Sequence, residues 1–163
     1  MRAVDKGLVM AALRARLADA LARAMEAQRS AQAGATHPDN KQEHAKDMRS
    51  TEASYLARGL AERAETLRDA VRAVELLGRR DFTGEEAAAA GALVAVEDED
   101  GRESLYLLAP AGGGEVLDVA GSRVLVLTPR SPVGAALAGR ARGDAIDVPL
   151  PTGRLRGEIT SVR

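Results

Sequence analysis

Apolar residues in the first part of the chain recur at helical spacing. From about Val4 to Ala33 there is no proline, and Met10, Leu13, Leu17, Leu21 and Met25 fall three or four residues apart with alanines between them. Arg14, Arg16, Asp19, Arg23 and Glu26 take the other faces, so the pattern predicts one long amphipathic helix. The run Gly34-Ala35-Thr36-His37-Pro38 breaks it. Thr36 is suited to cap a second helix, with Pro38 tolerated in its first turn and Asp39 three residues after the cap. That helix is predicted from about Pro38 to Leu77, with a stripe of Ala45, Met48, Leu56, Leu60, Leu67, Val71 and Val74, and Gly78-Arg79-Arg80 stops it.

Two helices of similar length joined by a short break should fold back on each other as an antiparallel coiled-coil hairpin. At 1.5 Å per residue such an arm is roughly 45 to 57 Å long. The short break also lets each helix find its partner within one chain, and a monomer is expected.

After Gly91 the period changes from that of helices to that of strands. Leu93 to Val96 and Ser104 to Leu108 flank the acidic turn Glu97-Asp98-Glu99-Asp100-Gly101, a hairpin signal. Val116 to Val119 reads as a further strand, and Arg123 to Thr128 is the clearest buried strand in the chain. A short helix is predicted from Pro132 to Ala138 behind an N-cap at Ser131. Ala145 to Val148 and Leu155 to Val162 read as strands joined by Pro151-Thr152-Gly153. The expectation is therefore an α+β chain: a helical hairpin over residues 1–80, a linker at 81–92 with a helical turn available from Glu85 to Ala90, and a small twisted β-sheet domain with one short helix over 93–163.

Composition agrees with that division. Aromatic residues are 2% of 163, whereas 45% are hydrophobic, many of them Ala. An Ala/Leu hairpin needs no large core, and a big globular domain would be hard to fill this way. The formal net charge of −1 conceals an asymmetry: residues 1–80 carry 15 Lys/Arg against 11 Asp/Glu, and residues 81–163 carry 8 against 13. A mildly basic arm on an acidic base is compatible with an approach to nucleic acid, although paired charges on a solvated helix surface would look the same. There is no cysteine, which excludes disulfides and thiolate chemistry and fits a cytoplasmic location. No apolar run is long enough to span a bilayer, and no signal-peptide segment is evident.

One ordered set of residues goes beyond fold class. Ser131-Pro132-Val133-Gly134 is followed by Ala136-Leu137-Ala138-Gly139, Gly143-Asp144, Pro151-Thr152-Gly153 and a closing strand Glu158 to Val162. Near the helical break stands His37-Pro38-Asp39-Asn40-Lys41-Gln42-Glu43. Together these resemble the Gre family of bacterial transcription elongation factors, GreA and GreB, whose tip pattern is His-Gly-Asp-x-Lys-Glu-Asn. The resemblance implies a coiled-coil hairpin on an FKBP-like C-terminal domain. It also implies a factor that binds bacterial RNA polymerase, inserts its tip in the secondary channel and stimulates cleavage of backtracked transcripts near the nascent RNA 3′ end. Such a protein is not itself an enzyme, because the catalytic centre belongs to the polymerase.

The resemblance assigns roles residue by residue. Asp39 matches the first acidic tip position and Lys41 the tip lysine, while Gln42 stands where the second acid would be. Glu43 follows one residue later, a rotation of about 100° on a helix. It lies four residues after Asp39, so on a helix the two carboxylates share a face and could hold one ion between them. Asp39 and Glu43 are thus the candidate catalytic and metal-holding pair, acting on Mg²⁺ shared with the polymerase active centre. Without that partner the same residues read as a cap and a solvated face, with Glu43 and Asp47 near Lys46 and Arg49. Thr128, Arg130, Ser131 and Pro132 match the loop through which the family contacts polymerase, Arg130 replacing an acidic residue common there. The two departures, Gln42 and Arg130, leave open a non-cleaving Gre-like regulator that occupies the same channel and inhibits or modulates transcription.

Two other classes fit less well. A prolyl isomerase needs an aromatic-lined apolar pocket, and Tyr106 is the one aromatic residue after position 90. A zinc site has no cysteine, and His37 and His44 lack metal-ligand helical spacing.

Overall fold

The computed structural model describes residues 4–35, 48–78 and 80–163. Its elements are α1 (Lys6–Ala35), α2 (Met48–Leu76), β1 (Leu93–Glu97), β2 (Glu103–Leu108), β3 (Val116–Val119), β4 (Ser122–Leu127), α3 (Pro132–Leu137), β5 (Ala145–Leu150) and β6 (Gly153–Val162). This is the α+β order expected: a helical hairpin followed by a sheet with one short helix. The described chain divides into two compact units. One holds α1 up to Ala15 together with Arg72–Arg163; the other holds the remainder of both helices, within Arg16–Val71.

Local chemistry fixes where the helices begin and end. Asp5 Oδ1 accepts the Leu8 N–H at 3.0 Å and caps the start of α1. Gly78, at φ 62°, ends α2 in the left-handed conformation that glycine adopts without strain. The Lys6 ammonium donates to the Arg80 carbonyl, tying the start of the first helix to the chain just beyond the second.

Within the arm unit, the covered faces follow a coiled-coil period. Leu17 and Ala24 on α1 are buried, with Ala20, Leu21, Gln28 and Ala31 half-covered; on α2, Ala64 is fully buried, with Ala53, Ala57, Leu60, Ala61, Leu67, Ala70 and Val71 half-covered. These positions recur at steps of three and four, as on one face of a helix. The stripe expected from sequence instead stepped by four from Leu17 to Leu21 to Met25. Each such step turns about 40° away from a seam, and Met25 is accordingly exposed, as are Met48 and Leu56. Leu17, Leu21, Leu60, Leu67 and Val71 of the expected stripe lie on the covered face, and Ala24 and Ala64 join them there.

The sheet has strand order β3-β4-β2-β1-β6-β5. All neighbours are antiparallel except β2 and β4, which pair in parallel with Leu105 opposite Val124. On one face Val94, Val96, Tyr106, Leu108, Leu127, Ile146 and Ile159 gather around Leu137 of α3. Leu93, Ala95, Leu107, Val124 and Val126 are buried as well, and in β1 and β2 these alternate with the residues of the first face. The same unit contains the fully buried Val9, Leu13 and Val74 from the helix ends.

Residues 81–92, read from sequence as a linker, are part of this packing. Phe82, Ala88 and Ala92 belong to the core, and no helix forms from Glu85 to Ala90. The Ala88 N–H donates to the Arg140 carbonyl at 2.7 Å, and the Gly139 N–H donates back to Ala88 at 2.8 Å. The segment satisfies its backbone partly against the turn after α3 and Leu108 and partly within itself, where Glu86 donates to Thr83 and Ala92 to Ala89. The acidic stretch after β1 is the hairpin turn expected. Asp98 Oδ1 accepts the N–H groups of Asp100 and Arg102 at 2.9 and 2.8 Å, and Gly101 takes φ 75°.

Candidate functional site

The loop from Thr128 to Pro132 is built around one carbonyl. Thr128 leaves the end of β4, and its carbonyl accepts the Ser131 N–H at 3.0 Å and the Ser131 hydroxyl at 2.8 Å. The same hydroxyl accepts the Gly134 N–H at 3.1 Å, so Ser131 is the N-cap of α3 with Pro132 at the first helical position. This is the cap the sequence predicts. Pro132 has no N–H to leave unsatisfied, and its ring presets the helical φ.

Glycine is required by close approach here. A Cβ on Gly134 would lie 2.0 Å from the Thr128 carbonyl oxygen and 2.7 Å from Ser131 Oγ. On the other side, a Cβ on Gly113 would lie 2.9 Å from Thr128 Cγ2. Sequence reading passed over Gly113 because a Gly-Gly-Gly run does not say which member is packed. α3 is then held from behind: Leu137 is fully buried, Val133 packs on the core, and the chain after Ala138 is clamped to Ala88.

The outcome is an ordered loop with an outward face. Pro129, Arg130 and Pro132 are exposed, and Thr128 and Ser131 are half-buried by the cap. Arg130 presents a planar fork of donors suited to a carboxylate or phosphate. The loop brings together no nucleophile and base; it can recognise a partner surface. Thr128, Arg130, Ser131 and Pro132 therefore lie together, as the sequence grouped them, while Asp39 and Glu43 lie outside the described residues. Among the described residues no three His, Cys, Asp or Glu side chains cluster to hold a metal ion, and no helix is long and apolar enough to cross a membrane.

No family model matches this chain, and no curated protein matches it. Solved structures do. GreA factor homolog 1 (Gfh1) of Thermus thermophilus is 20% identical, covering 92% of this chain and 94% of that one with a TM-score of 0.41. Thermus aquaticus Gfh1 is also 20% identical, covering 91% and 92% at a TM-score of 0.41. The prokaryotic transcription elongation factor GreA/GreB from Nitrosomonas europaea is 26% identical, covering 63% of this chain and 90% of that one at a TM-score of 0.37. These similarities assign no residue of this chain a role.

Proposed function

We propose that this protein is a Gre-type accessory factor of bacterial RNA polymerase, docking through the Thr128–Pro132 loop and stimulating transcript cleavage through the hairpin tip. The observation that carries this reading is the agreement between motif and geometry at Ser131-Pro132-x-Gly134: the ordered residues that resemble the family are the ones that build an exposed, rigid loop on a buried anchor. A helical arm fits the second half of the reading, since a carboxylate carried on a stiff element anchored at its base is held at high effective concentration near its target.

In this proposal, Asp39 and Glu43 supply hard oxygen ligands to Mg²⁺ at the polymerase active centre. A two-metal site hydrolysing a phosphodiester needs such ligands on each ion, and a carboxylate delivered from outside strengthens the more weakly held one. The protein contributes no catalytic centre of its own. The specific residue that favours a second reading is Gln42, which removes an acid from the tip pattern. A factor with a weakened tip would still occupy the channel and would modulate transcription without stimulating cleavage.

Docking is tested by competition for core RNA polymerase against a labelled Gre factor. The intact chain should compete, and Arg130→Ala with Pro132→Ala should compete at least about tenfold less well, as expected when a few interface residues carry most of the energy. Equal competition by the variant and the intact chain would remove the loop from the docking site, and no competition by either would remove polymerase as the partner.

A further inference from the structure

A concavity lies wholly within the unit that holds the sheet, and none of its lining residues belongs to the α3 loop. Its volume is about 500 Å³, and four cations line it: Lys6 and Arg14 from the start of α1, Arg80 just beyond α2, and Arg163 at the end of β6. Two acids, Asp5 and Asp81, share the lining. Asp5 is already committed to the α1 cap through its Oδ1. With four cations against two carboxylates, the lining carries a formal excess of positive charge, and three of its four cations are guanidinium groups.

The cations are held together by other parts of the structure. The Arg80 guanidinium carbon lies 4.6 Å, and the Lys6 ammonium 4.9 Å, from the centroid of the Phe82 ring. An aromatic face attracts each of them and so offsets part of their mutual repulsion. Lys6 is further tied to the Arg80 carbonyl. Arg80 has a partner in Glu86, at 3.6 Å on an exposed side. Arg163 donates from Nη1 to the Val4 carbonyl at 3.3 Å, while its Nε is buried and makes no hydrogen bond.

We propose that this cleft binds a small phosphomonoester. Phosphate matches the chemistry: planar guanidinium forks pair with its oxygens two at a time, and an ammonium adds a point charge. Met10 gives the cleft an apolar wall for the organic part of the ligand. The site is separate from the polymerase-docking loop, so its test is independent of that reading.

The test is titration of the full chain with inorganic phosphate and with phenyl phosphate at constant ionic strength, followed by calorimetry and amide chemical shifts. Saturable binding is expected, with shifts at Lys6, Arg14 and Arg80 and tighter binding of phenyl phosphate. Arg14→Gln/Arg80→Gln should weaken binding at least about tenfold, because charged hydrogen bonds are lost. Arg102→Gln/Arg123→Gln, on the sheet hairpins, should bind as the parent does. If the first double variant fails to fold, Lys6→Gln alone takes its place and should also weaken binding. Shifts that track ionic strength alone, or affinity unchanged by Arg14→Gln/Arg80→Gln or by Lys6→Gln, would overturn the site. Equal affinity for the two probes would overturn its apolar wall.

Discussion

The arm and the base bury their apolar residues in different ways. In the arm unit the buried positions are Leu17, Ala24 and Ala64, two of them small, and larger side chains such as Met25, Met48, Tyr55 and Leu56 stay in solvent. In the base, Leu93, Leu107, Leu108, Leu137 and Ile159 are fully buried. An alanine seam lets two helices approach closely but removes little apolar area per residue, whereas branched side chains on a sheet remove much more. The difference teaches that large apolar side chains are buried mainly in the base, whereas the arm covers a mixed stripe of small and large ones.

Gly134→Ala probes the base at its tightest contact. The added methyl meets a backbone carbonyl that two other donors fix in place, so the cost should be about 2–3 kcal/mol in chemical denaturation. Retained stability would show that the loop is softer than its hydrogen bonds imply. Ala64→Leu probes the arm. If the seam depends on close approach, the larger residue should cost about 1–2 kcal/mol despite its greater hydrophobicity, read as lost helical signal on heating. A gain would make the arm another volume-limited core and end the contrast.

The turn between β3 and β4 gives a smaller effect of opposite sign. Ala120 and Gly121 both have positive φ, 50° and 80°, the pattern of a two-residue turn that suits glycine or asparagine. Ala120→Gly should stabilise the base by about 0.5–1 kcal/mol, since alanine is strained in the left-handed region, and thermal unfolding would show it.

The smallest expected effect is with pH. The Arg154 side chain hydrogen-bonds Asp147, and with Arg156 at 3.4 Å it holds the Asp147 carboxyl below its usual range. A carboxyl depressed in the folded state adds stability above its unfolded pKa, and that stability fades as pH falls through the folded pKa. The group is solvent-exposed, so screening keeps the contribution small. Asp147→Asn should flatten this slight acid dependence, checked by unfolding midpoints across the carboxylate range at low salt.

Much of the base was legible because its boundaries are chemical punctuation. Ser131-Pro132 states a cap and a first turn, Glu97 to Gly101 a hairpin, and Pro151-Thr152-Gly153 the β5–β6 turn; all three form as read. The segment at 81–92 was illegible since its partners are distant: nothing local says that Ala88 will pair with Arg140, or that Phe82 will enter the core. The arm was read as helical correctly, and Leu17, Leu21, Leu60, Leu67 and Val71 of its stripe lie on the covered face, whereas Met25, Met48 and Leu56 are exposed and the buried Ala24 and Ala64 were passed over. In the candidate site, the cap residues were recognisable from type and order, whereas the approach of Gly113 to Thr128 depends on tertiary packing alone. The tip pair, Asp39 and Glu43, rests on sequence.

The most direct test of the central claim is RNA cleavage in stalled, backtracked elongation complexes of the cognate polymerase with Mg²⁺, comparing the intact chain with Asp39→Ala/Glu43→Ala. The account predicts that the intact chain accelerates cleavage and that the double variant, still competing for polymerase, does not. Cleavage unchanged by the substitutions, or no stimulation by an intact chain that nevertheless binds, would contradict it.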